Sequence, residues 1–192
     1  MTAAAVYWPE TGLLEGFGAW PALPDFLERG RADGVGQAYM RMAEEGELAV
    51  HGAGELTDVS GFVAWLVAEL SGHKVAGIGS DRYRQKEIDQ VLNDAGVKWP
   101  RAYRGTGASK SADGSHDLRA FQNAALSGAV AVRKSTLWRE ALSRSVVRTD
   151  TAGNPALDKS SGKARIDVLQ AGVIACGMAS LRPKKRKIRW SA

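Results

Sequence analysis

The chain of 192 residues holds a single cysteine, Cys176, set in an apolar C-terminal segment. That excludes an intrachain disulfide and a cysteine-ligated zinc cluster, and the apolar setting argues against a reactive thiol. Histidine is nearly as scarce. His51, His73 and His116 are scattered in polar contexts, which speaks against an imidazole metal site. No apolar run approaches the length that spans a bilayer, and the first residues lack the basic-then-apolar order of a signal peptide. The expectation is a cytosolic protein with no membrane contact. A phosphate-wrapping loop is missing too. Gly105-Thr106-Gly107-Ala108-Ser109-Lys110-Ser111 looks like one, but Ser109 stands where a glycine must let the backbone close on a phosphate, so ATP is not expected to bind.

What is present is an ordinary globular composition, 44% apolar and 24% charged, over a length that suits one domain and is short for two. The net charge of +5 is uneven. Arg182, Lys184, Lys185, Arg186, Lys187 and Arg189 follow one another with no acid among them, leaving the remainder near neutral. The boundaries read from this are a folded domain over 1–180 and a basic tail over 181–192. Such a tail contacts nucleic acid phosphates without reading bases, with strong salt dependence; the alternative is a solubilising end. The polar loop from Arg104 to Ser115, with its glycines, Lys110 and the flanking Arg101 and Arg104, fits a mobile segment beside a DNA groove.

The periodicity predicts a β-hairpin, Thr2 to Trp8 and Leu13 to Trp20 joined by Pro9-Glu10-Thr11-Gly12, then two short helices broken at Gly34. A strand at Leu48 to His51 and a helix capped by Asp58 and carrying Phe62, Trp65, Leu66 and Leu70 come next. Strands are predicted at Val75 to Gly79 and Val97 to Tyr103, around a helix with Ile88, Val91, Leu92 and Ala95. Helices at Phe121 to Leu126, Thr136 to Leu142 and Asp167 to Ala179, with strands at Ala129 to Val132 and Ser145 to Arg148, complete an α/β fold.

Two acids stand out in that order. From Asp167 one helical face runs through Ala171, Ile174 and Met178, so the carboxylate lies in line with small or apolar side chains and needs a cation or several donors. An acid in a helix's first turn, favoured by the dipole, is the plainer alternative. Asp81 follows the short apolar run Lys74 to Ser80, at the carboxyl end of a strand, where an Asp either caps the next helix or faces a ligand. An acid ending a strand and an acid on a helix against the same sheet suit a divalent metal.

Taken together, Asp81-Arg82-Tyr83-Arg84 after the apolar strand, Arg104-Gly105 before a Gly/Ser loop, Asp150 through Gly153-Asn154 to Asp158-Lys159, and Arg165-Ile166-Asp167 resemble the nuclease domain of the large terminase subunit, the DNA-packaging motor of tailed bacteriophages. The likeness runs over nearly the whole chain, and the order of the motifs carries it. It implies a ribonuclease-H-like fold, a central mixed sheet flanked by helices with an N-terminal hairpin, that cuts double-stranded concatemeric DNA with two Mg²⁺ or Mn²⁺ ions. By position, Asp81 and Asp167 would be catalytic metal ligands, with Asp158, Lys159 and Lys163 as outer-shell or phosphate contacts. The resemblance further implies a terminase ATPase domain, a small terminase subunit and a portal as partners, and the cytoplasm of the bacterial host as location.

The sequence departs from the family in two respects. It has neither the ATPase motif nor room for that domain, and the family's first strand, with its metal-binding Asp, would lie just ahead of Met1-Thr2-Ala3. An endonuclease domain short of one acid is therefore the expected function. A non-catalytic DNA-binding fragment of the motor, or another ribonuclease-H-like nuclease such as a resolvase, are the alternatives.

Overall fold

The computed structural model describes residues 1–82, 85–108, 113–158 and 165–182. β1 (Thr2–Trp8) and β2 (Leu13–Trp20) form the predicted hairpin, in register from Thr2 opposite Ala19 to Trp8 opposite Leu13. On its other side β2 pairs in parallel with β3 (Leu48–Val50) near one end and with β6 (Ala131–Val132) near the other, making a mixed four-stranded sheet. β4 (Ile78–Ser80) and β5 (Arg101–Tyr103) form a separate parallel pair, and β7 (Val147–Thr149) and β8 (Pro155–Leu157) a separate hairpin.

The helices are α1 (Phe26–Ala32), α2 (Ala38–Glu44), α3 (Val59–Glu69), α4 (Gln85–Asp94), α5 (Asp113–Leu126), α6 (Thr136–Ser143) and α7 (Asp167–Ser180). Asp58 caps α3 as expected, its carboxylate accepting from Gly61 N at 2.8 Å, and Ser135 caps α6 through Trp138 N. α7 and α6 lie on one face of the four-stranded sheet, where Gly16 leaves room for Val168 and the Trp138 indole. α3 covers the other face: Phe17, the next residue of β2, meets Trp65 edge to face at 5.4 Å. The alternation of the strand thus serves two helical layers.

The main core lies under α7, among Leu14, Leu118, Leu137, Trp138, Val168, Leu169 and Val173. Each such buried side chain stabilises the fold by about 1.5–3 kcal/mol. A smaller cluster, Val59, Val63 and Leu92, joins α3 to α4.

Four elements differ from the sequence expectation. β4 and β5 keep only three residues each, Val75-Ala76-Gly77 and Val97-Lys98-Trp99-Pro100 ahead of them remaining irregular. α5 starts at Asp113 instead of near Phe121. Asp113-Gly114-Ser115 reads as loop, yet Gly114 packs its Cα side against the Thr106–Gly107 backbone, where a Cβ would come within 2.7 Å of Thr106 C, and the Asp113 carboxylate accepts from Gly105 N at 3.1 Å. β8, where no strand is predicted, pairs back on β7.

Candidate functional site: a groove between two sheet edges

Between β1, the edge of the four-stranded sheet, and β4, the edge of the two-stranded one, runs a groove of about 990 Å³. Its floor is α7, through Asp167, Gln170, Ala171, Ile174 and Met178; Val59, Phe62, Val63 and Leu66 of α3 face it from the other layer. The face read from sequence, Asp167-Ala171-Ile174-Met178, is therefore the lining of a groove. The core face of the same helix is Val168, Leu169, Val173 and Cys176. Burial pushes the Cys176 thiol up to about 12, so it stays protonated and inert at neutral pH.

The two walls run in opposite directions. Met1, at the start of β1, lies close enough to Asp167 for their charges to interact, while Tyr7 near the end of β1 interacts with Cys176. β1 thus follows α7 from N- to C-terminus. Along β4 the order is reversed: Gly77 sits beside Met178, and Gly79 lies between Met178 and Ile174. Asp81, two residues further, continues toward the N-terminal end of α7. Both carboxylates, half-buried, thus line the same groove at the same end. The other end holds Trp8 and His73, whose rings meet edge to face with centroids 5.0 Å apart, and Arg182, which donates to Ala76 O.

What holds Asp167 in place is the residue two before it. Arg165 forms a two-pronged bond to the buried Asp33, Nε to Oδ2 at 2.9 Å and Nη2 to Oδ1 at 3.2 Å, and Tyr39 Oη donates to the same carboxylate at 2.8 Å. The Trp20 ring lies under two guanidinium groups, with Arg29 at 4.3 Å and Arg165 at 5.0 Å from its centre. The Met1 amine at this end is pushed down to about 6, chiefly by burial, with Asp167 opposing and Arg165 and Arg29 adding to the shift.

Burial acts to raise the Asp33 carboxyl, but the hydrogen bonds from Arg165 and Tyr39 outweigh it and hold the group below the usual carboxylate range. A carboxyl with a lowered folded pKa contributes stability that is complete above its unfolded value near pH 4 and is lost as pH falls through the folded value. Asp33→Asn is expected to cost about 1.5–3 kcal/mol at pH 7 in urea unfolding, with the gap to the parent narrowing below about pH 3. A gap unchanged at pH 2.5 would mean that the ionised carboxylate is not what Arg165 holds.

The remaining candidate residues are dispersed. Arg104 does not face a nucleic acid groove: it is buried, with Nε donating to Asp117 Oδ2 at 3.0 Å and Nη1 3.0 Å from Asp113, and the bond to Asp117 raises its pKa further. Arg101 pairs with Asp89 at 3.0 Å and Asn93 at 2.7 Å on α4. Asp158 is on the β7–β8 hairpin, 2.6 Å from Arg148 Nε, and does not line the groove. Lys110, Lys159, Lys163, Lys184, Lys185, Arg186 and Lys187 lie outside the described residues. Sequence reasoning missed Asp33, Asp117 and Gln170. Asp117 was hidden because its helix start reads as loop; Asp33 lies far in sequence from the arginine it serves.

Two carboxylates supply the hard oxygen donors that one hard dication takes. Among the described residues no group of three or more His, Cys, Asp or Glu side chains could hold a metal ion. Among them, too, no helix is long and apolar enough to cross a membrane.

A divided mixed sheet between helical layers makes this an α/β architecture, consistent with the ribonuclease-H-like fold that the resemblance implies. The structure superposes on that of the HK97 bacteriophage large terminase with a TM-score of 0.73 and 23% identity, covering 86% of this chain and 33% of that one. The chain has a terminase-like fold, and it spans a third of the length of that terminase. No family model and no curated protein matches the sequence.

Proposed function

We propose that the chain is a divalent-metal-dependent DNA endonuclease domain of the terminase type, working in phage DNA packaging, with Asp81 and Asp167 holding one Mg²⁺ or Mn²⁺. The observation that supports this reading is that both acids line one groove of a terminase-like fold, one from just after a strand end and one from the first turn of α7. Asp81 and Asp167 would hold the dication, which would supply Lewis acidity for hydrolysis of a phosphodiester. The protein's part is to fix the carboxylates: α7 presents Asp167, the Arg165–Asp33 bond sets the helix start, and the α7–β4 contact sets Asp81. With two acids, binding is weak and cleavage slow.

The basic residues after Arg182 contact DNA backbone, and the packaging ATPase, small subunit and portal are partners of the larger assembly by resemblance. A non-catalytic DNA-binding role is the second reading, favoured by the shortage of acids.

The test is nicking of supercoiled plasmid with Mn²⁺, alongside calorimetric Mn²⁺ titration. Slow nicking that needs Mn²⁺, at least tenfold reduced by Asp81→Asn and abolished by Asp167→Asn, with Mn²⁺ affinity falling in parallel, is the expected result. DNA binding without nicking moves the protein to the second reading. Cleavage that survives both substitutions shows that the chemistry belongs to other residues.

A further inference from the structure

We propose that Arg29 grips a backbone phosphate of DNA at the acidic end of the groove; that the anion is DNA rests on the terminase-type reading of the chain. Arg29 comes from α1 and lines the groove together with Trp20, Asp81 and Asp167. Its charge and that of Asp167 both act on the Met1 amine, so the two side chains share one end of the groove.

The two guanidinium groups over the Trp20 ring differ in what balances them. Arg165 is neutralised by its two-pronged bond to Asp33, and Tyr39 occupies the same carboxylate. Arg29 has no carboxylate within ion-pair distance among the described residues. Its Nη2 donates to Leu23 O, nothing described accepts from Nη1, and Nε is buried without a partner. Trp20 Nε1, in the ring below, is also buried and unbonded. The corner holds more donors than acceptors, and a buried donor left unpaired is costly. Burial and the Arg165 charge both lower the Arg29 pKa, with Asp33 and Glu28 acting the other way. A cation poorly solvated and opposed by a like charge is relieved by an anion.

An aromatic face under a guanidinium fixes its plane without taking a hydrogen bond from it, so terminal N–H groups stay available to a ligand. The planar fork matches the oxygens of a phosphate. A phosphodiester carries one negative charge, the amount that one unpaired guanidinium balances, and it belongs to the polymer that a dication at Asp81 and Asp167 is proposed to cut. Arg31, two residues along α1, is exposed and does not line the groove, so it carries the same charge without the contact.

The experiment measures binding of a short labelled DNA duplex by fluorescence anisotropy in EDTA, between about 50 and 200 mM KCl, for the parent, Arg29→Met, Arg29→Lys and Arg31→Met. Arg29→Met is expected to weaken binding about fivefold at low salt and to flatten the slope of log K against log salt by about 0.9, the value of one phosphate contact. Arg31→Met should leave both unchanged. Arg29→Lys keeps the charge and loses the fork, so its slope should match the parent while affinity falls about twofold. Parent-like binding by Arg29→Met, or equal losses in Arg29→Met and Arg31→Met, overturns the proposal. Melting temperatures are taken alongside. If Arg29→Met is unfolded at the assay temperature, Arg29→Lys decides, and parent-like affinity there overturns the proposal. Inorganic phosphate replacing chloride at equal ionic strength tests the other source of the anion. A melting temperature raised by phosphate in the parent and not in Arg29→Met, with DNA binding equal in the two, assigns the corner to free phosphate and the proposal fails. No metal is present in the binding assay, so a chain that binds as expected yet never nicks plasmid loses the nuclease reading and keeps this one.

Discussion

Arg104→Met is expected to lower the unfolding free energy by about 3–5 kcal/mol, the cost of leaving a buried carboxylate without its cation. Asp117 is 0% exposed, and Arg104 meets both of its oxygens, at 3.0 Å through Nε and 2.5 Å through Nη2. Urea unfolding at pH 7 measures the loss. The double variant Arg104→Met with Asp117→Leu should recover most of it, since an apolar pair of similar volume can replace a buried ion pair. A single variant of normal stability but weakened DNA binding would instead return Arg104 to the nucleic acid surface, where the sequence alone had put it.

Gly177→Ala acts on the same spot from the opposite helix. An added Cβ would overlap the carboxylate of Asp117, with Asp117 Cβ at 2.6 Å. That side chain is clamped by Arg104 and cannot swing away, so α7 must shift or the ion pair must break. A loss of about 3 kcal/mol is expected, at the upper end for overpacking, with a fall in melting temperature of several degrees. Ala171→Val enlarges a side chain of the same helix toward the groove and should cost less than about 1 kcal/mol, because open space lies in front of it. Equal losses at the two positions would mean that the groove is closed in solution and that α7 is packed alike on both faces.

Local pattern made much of the architecture legible. The hairpin followed from two β-rich runs around Pro9-Glu10-Thr11-Gly12, and α3 from Asp58 ahead of a 3.6-residue apolar period, because in both cases residues close in sequence supply the contacts that decide the element. The two acids were legible for the same reason, each marked by a carboxylate against a short apolar run. The start of α5 was not. Its stability comes from Gly105 and Thr106 across a loop and from Arg104 on Asp117, contacts that no local period records.

The sequence by itself determined the α/β order, the hairpin, the Asp58 cap and the helical face on which Asp167 lies, since these depend on periodicity and on polar groups a few residues apart. It could not determine what that face looks onto. Only the tertiary structure made it the floor of a groove, by splitting the strands into separate sheets and setting β1 and β4 on either side of α7 in opposite directions. Tertiary packing also decided that Arg104 serves Asp117 within the protein and that Arg165 serves Asp33, 132 positions away. A guanidinium written in sequence is the same whether it meets phosphate or a buried carboxylate. Which one it meets depends on the charge that folding leaves beside it, because an ion taken from water must find its counter-charge there.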